Sequence, residues 1–487
     1  MKHSRELRLC SILVSQLLVG GAQPQYPFDL DTTFRTDMEE TFVNSILLDE
    51  EGGLIISGRF RFPSVQNEKR TVRLHSDGTL DMEFNQSVLG GGTLTPWNDR
   101  IYVATTQTVR RLLPDGLQDP SFIEMNTGPY FTSLQGGDYH VYPDGRVLMS
   151  GAHMLDDTVR GFEGLYSLIW FSNTGYLDTT RTHRLCNGVI YEIEEQPDSK
   201  FLCTGTMTTY EGQPVGRVFR VEADGTLDLS FNIDLQPYGE AFDYHTLPDG
   251  RVLIGGAFRL NGSDQIRSLI RVEPDGSLDE SFTLSEFEET YSNSHIPIVL
   301  NILPIGGGYI ITGTFDKING QDRGGIAMVD VNGNLMSEPF DGLGCGGFQD
   351  GVTFRKGLAG ITPAADGSFY VYGSYHGYDD GTTNDTTQRM VSRLYGLEVG
   401  VREQESMASL SVYPNPSSGS FTLHTALPTA NGMVYLLDAT GRAVRSWIWS
   451  SGVEQASFST CGLQGGKYLV RLVSEPLHIQ APLILSP

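Results

Sequence analysis

One stretch of this chain occurs twice almost unchanged, and that repetition restricts the fold more than any other feature. Asp138-Tyr139-His140-Val141-Tyr142-Pro143-Asp144-Gly145-Arg146-Val147-Leu148-Met149-Ser150-Gly151 returns as Asp243-Tyr244-His245-Thr246-Leu247-Pro248-Asp249-Gly250-Arg251-Val252-Leu253-Ile254-Gly255-Gly256. Each copy reads as a strand, a Pro-Asp-Gly turn and a second strand closing on glycine. Proline presets φ at the turn, glycine supplies positive φ, and the β-branched run favours extended backbone. Weaker copies end at Gly58, Thr105, Gly205, Gly313 and Gly373, so seven units follow one another at spacings of 46 to 60 residues. That period, at four short strands per unit, is the signature of a β-propeller. The glycine excess, 57 of 487 residues, fits a chain with this many tight turns.

A second motif runs in phase with the first. Arg, an Asp-Gly turn, Leu-Asp and Phe appear in order as Arg73, Asp77-Gly78, Leu80-Asp81 and Phe84. The set returns as Arg220, Asp224-Gly225, Leu227-Asp228, Phe231 and as Arg271, Asp275-Gly276, Leu278-Asp279, Phe282. Arg111, Asp115-Gly116-Leu117 and Phe122 form an imperfect copy, and Trp170 and Met328 hold the Arg position in two degenerate units. The arginine is expected to bridge to a motif aspartate, and the phenylalanine to be buried between units. Leu30-Asp31-Thr32-Thr33-Phe34 is a motif end with no unit before it. The last unit reaches Arg393-Leu394 and lacks its own Leu-Asp end. The N-terminal piece is therefore expected to complete the last unit and close a ring, removing two exposed edges. An open solenoid is the alternative, but nothing resembles a polar capping repeat.

These motifs resemble the delta-60 repeat family of secreted bacterial proteins over about residues 28–395, with five good copies and two degenerate ones. The resemblance implies a β-propeller or a similar all-β assembly, and no particular activity.

The N-terminus carries Lys2, Arg5 and Arg8, a short apolar run from Leu9 to Val19, and Gly20-Gly21-Ala22. A basic flank, an apolar core and small residues predict a secretory signal peptide over residues 1–22. Cys10 precedes the apolar core, which argues against lipoprotein-type attachment. No later run reaches ~18 continuous apolar residues, so no transmembrane segment is expected. The net charge of −25 has the wrong sign for nucleic acid or anionic membrane surfaces. Export permits disulfides. A strand pair turning near Pro197–Lys200 places Cys203 opposite a residue near Glu194 rather than opposite Cys186. Cys186, Cys203, Cys345 and Cys461 are accordingly read as small apolar packing residues.

Residues 411–487 differ from the acidic body, with four basic residues against three acidic ones. Short β-rich runs punctuated by Gly419, Gly441 and Gly465-Gly466 predict a small all-β domain of sandwich type. The tail resembles the type A C-terminal sorting domain of the type IX secretion system. The matching residues are Tyr413-Pro414-Asn415-Pro416, Ser418-Gly419-Ser420-Phe421-Thr422-Leu423, Leu437-Asp438-Ala439-Thr440-Gly441-Arg442 and Gly465-Gly466-Lys467-Tyr468-Leu469-Val470-Arg471. The resemblance implies a Gram-negative bacterium, type IX secretion machinery as a partner, and release or surface attachment after passage across the outer membrane. One departure is the end: the family usually closes on a basic, β-branched strand, and this chain ends Ala481-Pro482-Leu483-Ile484-Leu485-Ser486-Pro487.

The expected organisation is all-β. A signal peptide (1–22) precedes a seven-bladed β-propeller (28–397), a linker (398–410) and a small Ig-like β-sandwich tail (411–487).

The chain lacks HExxH, GxSxG and P-loop strings. Gly342-Leu343-Gly344-Cys345-Gly346-Gly347 fits GxGxxG in form, but no helix follows it, so it reads as an inter-unit loop. Asp379-Asp380-Gly381 with Asn384-Asp385 reads as an exposed acidic loop in preference to a calcium site. One cluster carries chemistry. Counting back thirteen and eleven residues from each marker glycine gives Asp138/His140, Glu192/Glu194 and Asp243/His245 in units three to five. Residues two apart share a strand face. In a propeller that strand lines the central channel, where a His/Glu/His set can bind a divalent cation or polarise a ligand. Leu and Ile at equivalent positions elsewhere favour a packing face with locally satisfied polar groups. No cofactor is expected. Two functions follow: a non-catalytic exported binding or structural protein contacting glycan or protein, or a channel-centred hydrolase or lyase using the His/Glu cluster.

Overall fold

The computed structural model describes residues 26–486 apart from 50–51, 66, 86–88, 124–130, 160, 397–409, 426–430, 438–442 and 475–476. The expected signal peptide, nearly all of the expected linker, and Asp438 and Gly441 lie outside the described residues. The chain divides into two compact units, Met1–Val399 and Gly400–Pro487. Every regular element among the described residues is a strand.

Among the described residues the first unit contains three small sheets of two or three strands and seven main antiparallel sheets, one per sequence repeat, each pairing at least three strands. They are Glu40–Leu48, Leu54–Arg61 and Lys69–Leu74; Leu94–Trp97, Arg100–Ala104 and Val109–Leu112; Phe131–Val141, Val147–Asp157 and Phe162–Phe171; Ile190–Glu195, Phe201–Gly205 and Val218–Val221; Leu235–Thr246, Val252–Leu260 and Ile266–Val272; Val299–Ile305, Gly308–Gly313 and Ile326–Asp330; Leu358–Pro363, Phe369–Asp379 and Asn384–Leu394. Arg184–Leu185 extends the third sheet and Gly344–Cys345 the seventh. The middle strand is the most buried, because it is covered on both faces by neighbouring repeats: Val252, Leu253 and Ile254 are all fully buried.

First strands of successive repeats stand beside one another, those of repeats two and three least closely, and the first strand of repeat seven stands beside that of repeat one. The links between repeats two and three include the Tyr139 hydroxyl, which donates to Thr93 O at 3.0 Å, and Gly136 N, which donates to Thr106 O at 3.2 Å.

After its third strand each repeat makes one further β-bridge instead of a full strand. Leu80 bridges Leu74, Gln118 bridges Leu112, Leu177 bridges Phe171, Leu227 bridges Val221, Leu278 bridges Val272 and Leu335 bridges Val329. The next residue is usually the motif aspartate, whose Oδ1 accepts the N–H two residues on, as in Asp279 to Ser281 at 2.9 Å. That local turn competes with the ladder and stops the strand. For repeat seven, the bridge to Leu394 comes from Leu30, 364 residues away in the chain.

The expected Arg–Asp bridge is present. Arg73–Asp81 measures 2.6 Å, Arg111–Asp119 2.7 Å, Arg220–Asp228 2.8 Å and Arg271–Asp279 2.6 Å. Each guanidinium also lies over the motif phenylalanine, 4.7 to 5.5 Å from the ring centre. Phe84, Phe122, Phe231 and Phe282 are buried. Burial works against the Asp119 charge, yet the Ser121 hydroxyl and N–H and the Arg111 guanidinium hold its carboxyl down at about 2.

The residue after the phenylalanine ties each repeat to the next turn. Asn85 N donates to Asp115 O at 2.8 Å, Ile123 N to Thr174 O at 2.9 Å, Asn232 N to Asp275 O at 2.8 Å and Thr283 N to Asn332 O at 2.7 Å. Arg35 N, following Phe34, donates to Asp77 O at 3.0 Å in the same manner.

The second unit holds two antiparallel sheets. One contains Leu410–Tyr413, Ser420–Thr425 and Gln455–Ser459; the other contains Ala443–Trp449, Gly432–Leu437, Gly466–Ser474 and Leu477–Leu485. They share one core that includes Phe421, Leu436, Trp449, Phe458 and Leu483. The atypical C-terminal segment is a regular strand, paired with Gly466–Ser474 along its whole length. Ala481, Leu483 and Leu485 alternate inward, which is all the core requires of it.

Candidate functional site

Asp138 and His140 lie on the first strand of repeat three, Glu192 and Glu194 on that of repeat four, and Asp243 and His245 on that of repeat five. Each of these strands carries a register shift just before or at the acidic residue: between Gly136 and Tyr139, Ile190 and Glu192, and Ala241 and Asp243. A bulge re-aims the following side chains.

The acidic residues come together. Burial raises Asp138 to about 7, opposed by the backbone N–H groups of Tyr139 and Ile193. Burial raises Asp243 to about 7, opposed by the N–H groups of Ile302 and Tyr244 and by Asn301. Glu192 is raised well above its ordinary value, first by burial, then by repulsion from Asp138, Asp243, Glu240 and Glu194. Glu194 is raised to about 8 by burial and by Asp243, Asp138 and Glu195. Solvent reaches Glu194, although protein crowds it on most sides.

The histidines turn away from this group. His140 packs edge-on against Tyr142 and Phe201, with ring centres 4.7 and 5.2 Å away, and its Nε2 is 3.5 Å from Glu195 Oε2. His245 packs on Tyr309 of repeat six at 5.7 Å. Burial lowers the pKa of both rings, with Glu195 opposing the shift at His140. The His140, Glu194, His245 set expected from strand spacing is thus split between inter-repeat contacts. Among the described residues, no group of three or more His, Cys, Asp or Glu side chains is arranged to hold a metal ion.

The buried aspartates instead have structural partners. Asp243 Oδ2 accepts Ile302 N at 2.6 Å and Asn301 Nδ2 at 3.0 Å. The same bond recurs around the first strands: Ser45 Oγ accepts Leu94 N at 3.0 Å, and Asn301 Oδ1 accepts Ile361 N at 3.3 Å. A side chain at one register position receives a backbone N–H from the next repeat. Asn301 was not found by counting back from the marker glycine, which lands on Leu300. The hairpin of repeat six is one residue shorter, so Asn301 pairs with Thr312 where Glu192 pairs with Thr204. Counting outward from the turn residues Gly306-Gly307 finds it.

The other sequence candidates resolve as structure. Gly344–Cys345 is an edge strand on Phe369–Asp379, and a Cβ at Gly346 would lie 2.3 Å from His376 O. Close backbone approach accounts for the glycine. Asp380 Oδ2 accepts Leu30 N at 2.6 Å, and Asp385 pairs with Arg35 at 2.6 Å, so this acidic loop anchors the N-terminal segment. Cys186, Cys203 and Cys345 are buried free thiols, and Cys203 faces Ile193 across the ladder. Cys461 does not pack: it is exposed, because it sits in the turn after Gln455–Ser459, where the backbone leaves its sheet.

In the tail, Tyr413 ends the first strand and is partly exposed. Pro414, Asn415 and Pro416 follow it. The Asn415 amide clamps the final strand, donating to Pro482 O at 2.8 Å and accepting Ile484 N at 2.8 Å. Gly466 opens the strand that pairs with that final one, and the Tyr468 hydroxyl donates to Gln464 O at 2.9 Å.

Residues 52–84, 196–231 and 247–282 match the family model described as a domain of unknown function (DUF5122) beta-propeller. Residues 411–486 match that of the secretion system C-terminal sorting domain. The chain thus carries β-propeller repeats and a type IX sorting tail, and that tail implies export across the outer membrane to the cell surface or the medium. No curated protein matches the chain significantly. Similar solved structures include the extracellular domain of a putative hybrid two component system from B. thetaiotaomicron, at 10% identity and a TM-score of 0.38. That match covers 92% of this chain, and the chain spans 56% of that structure's length. The N-terminal domain of Nup159 is similar at 9% identity and a TM-score of 0.42, covering 76% of this chain and 95% of that one. No helix among the described residues is long and apolar enough to cross a membrane.

Proposed function

We propose that this is an exported, non-catalytic binding or structural protein. In this reading a signal peptide (1–22) starts export and a seven-bladed propeller of delta-60-type repeats (28–397) forms the working body. An Ig-like tail (411–487) beyond a short linker is read by the type IX machinery of a Gram-negative cell. The body contacts a glycan or a protein. One observation carries the non-catalytic part: the candidate histidines pack into separate inter-repeat contacts, while Asp138 and Asp243 accept backbone N–H groups of the next repeat. Side chains committed to holding repeats together are not free to move protons on a substrate. The hydrolase or lyase alternative rested on their convergence.

Two measurements test the reading. In a bacterium with type IX secretion, the whole chain should appear at the surface or in the medium, and a chain ending at residue 410 should stay in the periplasm. The exported protein should bind a printed glycan array or a surface protein while Asp138→Asn and Asp243→Asn leave binding unchanged. Loss of a measurable hydrolytic or lyase activity in those variants would restore the enzyme reading.

A further inference from the structure

At the seam between the N-terminal segment and repeat seven, the segment sits as an added strand would. Phe28 N donates to Tyr395 O at 2.9 Å, Tyr395 N to Asp29 O at 2.9 Å and Asp31 N to Arg393 O at 2.8 Å. Asp380 Oδ2 accepts Leu30 N at 2.6 Å, and Arg393 Nη1 donates to Asp31 Oδ2 at 3.0 Å. Main-chain bonds of this kind give an extended peptide its affinity, and pockets for its side chains give selectivity.

The pockets are present. Phe28 is buried against Phe340 and Phe369, with ring centres 4.8 and 5.0 Å away. Leu30 is buried in the same apolar cluster and bridges Leu394. Phe34 is buried edge-on against Tyr370 at 5.3 Å. Thr32 and Thr33 are exposed. Recognition therefore falls on the pattern Phe-x-Leu-Asp-x-x-Phe.

Phe340, Phe369, Tyr370, Asp380, Arg393 and Tyr395 all lie at the far end of the repeat body. The segment's hydrogen bonds to repeat one follow after Phe34, where Arg35 N donates to Asp77 O at 3.0 Å and Glu39 N to Arg61 O at 2.9 Å. The contacts from Phe28 to Asp31 would be the same if the segment came from another molecule. Elsewhere the Leu-Asp-x-x-Phe pattern is built into its own repeat: Leu80 bridges Leu74, Leu227 bridges Val221 and Leu278 bridges Val272. The N-terminal copy is the one that reaches its slot from a chain end. Within one molecule the covalent link gives that copy a high effective concentration, and it fills the slot. Exchange of an identical element between copies keeps every contact. We propose that the outer edge of repeat seven is a recognition slot for an extended Phe-x-Leu-Asp-x-x-Phe segment, and that it accepts the N-terminal segment of a second copy of this chain when its own is displaced.

The test uses two variants of the full exported chain. Arg393→Ala with Asp380→Ala disables the slot and keeps the segment. Phe28→Ala with Asp31→Ala disables the segment and keeps the slot. Each alone should stay monomeric in light scattering. Mixed, they are expected to form a one-to-one pair, and the unfolding midpoint of the slot-bearing chain should rise. Two monomers with unchanged midpoints overturn the proposal. Should the chain with the disabled segment fail to fold, the milder Asp31→Asn chain carries the test, with an excess of a fluorescent peptide of residues 26–36 as probe. That chain is expected to bind the peptide, and the parent, whose own segment fills the slot, is not. The peptide carrying Phe28→Ala and Leu30→Ala should bind at least about tenfold more weakly, since two buried side chains are lost. No binding to the Asp31→Asn chain, or equal binding of both peptides, overturns the slot.

Discussion

Arg393 Nη1 donates to Asp31 Oδ2 at 3.0 Å across 362 residues of chain. Within repeats one, two, four and five the same Arg–Asp pair is eight residues apart. The N–H of the residue eight after the arginine position donates to the carbonyl at that position in six repeats, from Asp81 N to Arg73 O through Met336 N to Met328 O. In the seventh, Asp31 N supplies the bond to Arg393 O at 2.8 Å. The N-terminal segment stands in chemically for the missing end of the last repeat.

With the ends joined, Asp31→Asn should cost stability measurably, as the same change does inside a repeat. Asp31 and Asp279 are both buried. Asp279→Asn leaves the buried Arg271 guanidinium short of one charge and should lower stability by about 2 kcal/mol, whereas Arg393 is partly exposed and keeps Asp366 as a partner, so Asp31→Asn should cost about 1 kcal/mol. Urea unfolding followed by tryptophan fluorescence measures both. Parental stability for Asp31→Asn beside a clear loss for Asp279→Asn would mean the ends do not join.

A glycine at the same seam gives an independent probe. Gly78 has φ +91°, and a Cβ there would lie 2.2 Å from Arg35 O. Gly262 has φ +78° with nothing near its Cβ. Gly262→Ala should cost about 1 kcal/mol, for backbone strain alone. Gly78→Ala adds a backbone collision and should cost at least about 2 kcal/mol more. Equal midpoints for the two variants would show that Arg35 is not against the turn.

Stability should fall as pH rises from about 6.5 to 8. Asp138, Asp243 and Glu194 are raised to about 7, 7 and 8, chiefly by burial. The folded chain therefore keeps protons that the unfolded chain releases above about pH 4, and each such group costs stability until pH passes its folded value. The opposite group includes Asp119 and Asp385, held at about 2, whose contribution is lost only below about pH 4. Burial lowers His153, His183 and His376 to about 4, so each gains stability as pH rises to about 6.5 and offsets the carboxylates there; calorimetry should find the highest unfolding temperature near pH 6.5. Asp138→Asn and Asp243→Asn should flatten the decline toward pH 8. A midpoint that climbs from pH 6.5 to 8 contradicts the cluster.

Thiol chemistry should count one reactive cysteine in a folded chain that begins after residue 22. Burial raises the Cys186 thiol, and it raises Cys345 to about 11. Cys203 is fully buried, and Cys461 alone of the four is exposed. Ellman's reagent should release one equivalent from the native protein and four after denaturation. Two or more fast equivalents would show that the repeat interfaces open.

Much of the repeat body was legible in the residues. The Arg73–Asp81 bridge, the burial of Phe84 and the Pro-Asp-Gly turns are local, and each is encoded within a dozen residues. The candidate site was legible only in part. The strand positions of Asp138, Glu192 and Asp243 follow from counting, yet a bulge in each strand and a hairpin one residue shorter in repeat six shifted the equivalences. That shift hid Asn301. Strand alternation also put His140 and His245 on the face of the acidic residues, but it says nothing of rotamer or of what the neighbouring repeat offers. Phe201 and Tyr309 offered aromatic surface, and the rings went there.

By itself, the sequence determined that this chain is a tandem of β-hairpin units with an orphan Leu-Asp end at one terminus and a sorting-type tail at the other. Turn residues, strand propensity and the Arg–Asp spacing act over short distances, so they are written directly in the order of residues. Only the tertiary structure decided which groups meet across repeats: Asp31 with Arg393 and Asp243 with Ile302 N. Those meetings depend on how neighbouring sheets pack and where each strand bulges. Such geometry is set by the summed contacts of two repeats, and no single segment carries it.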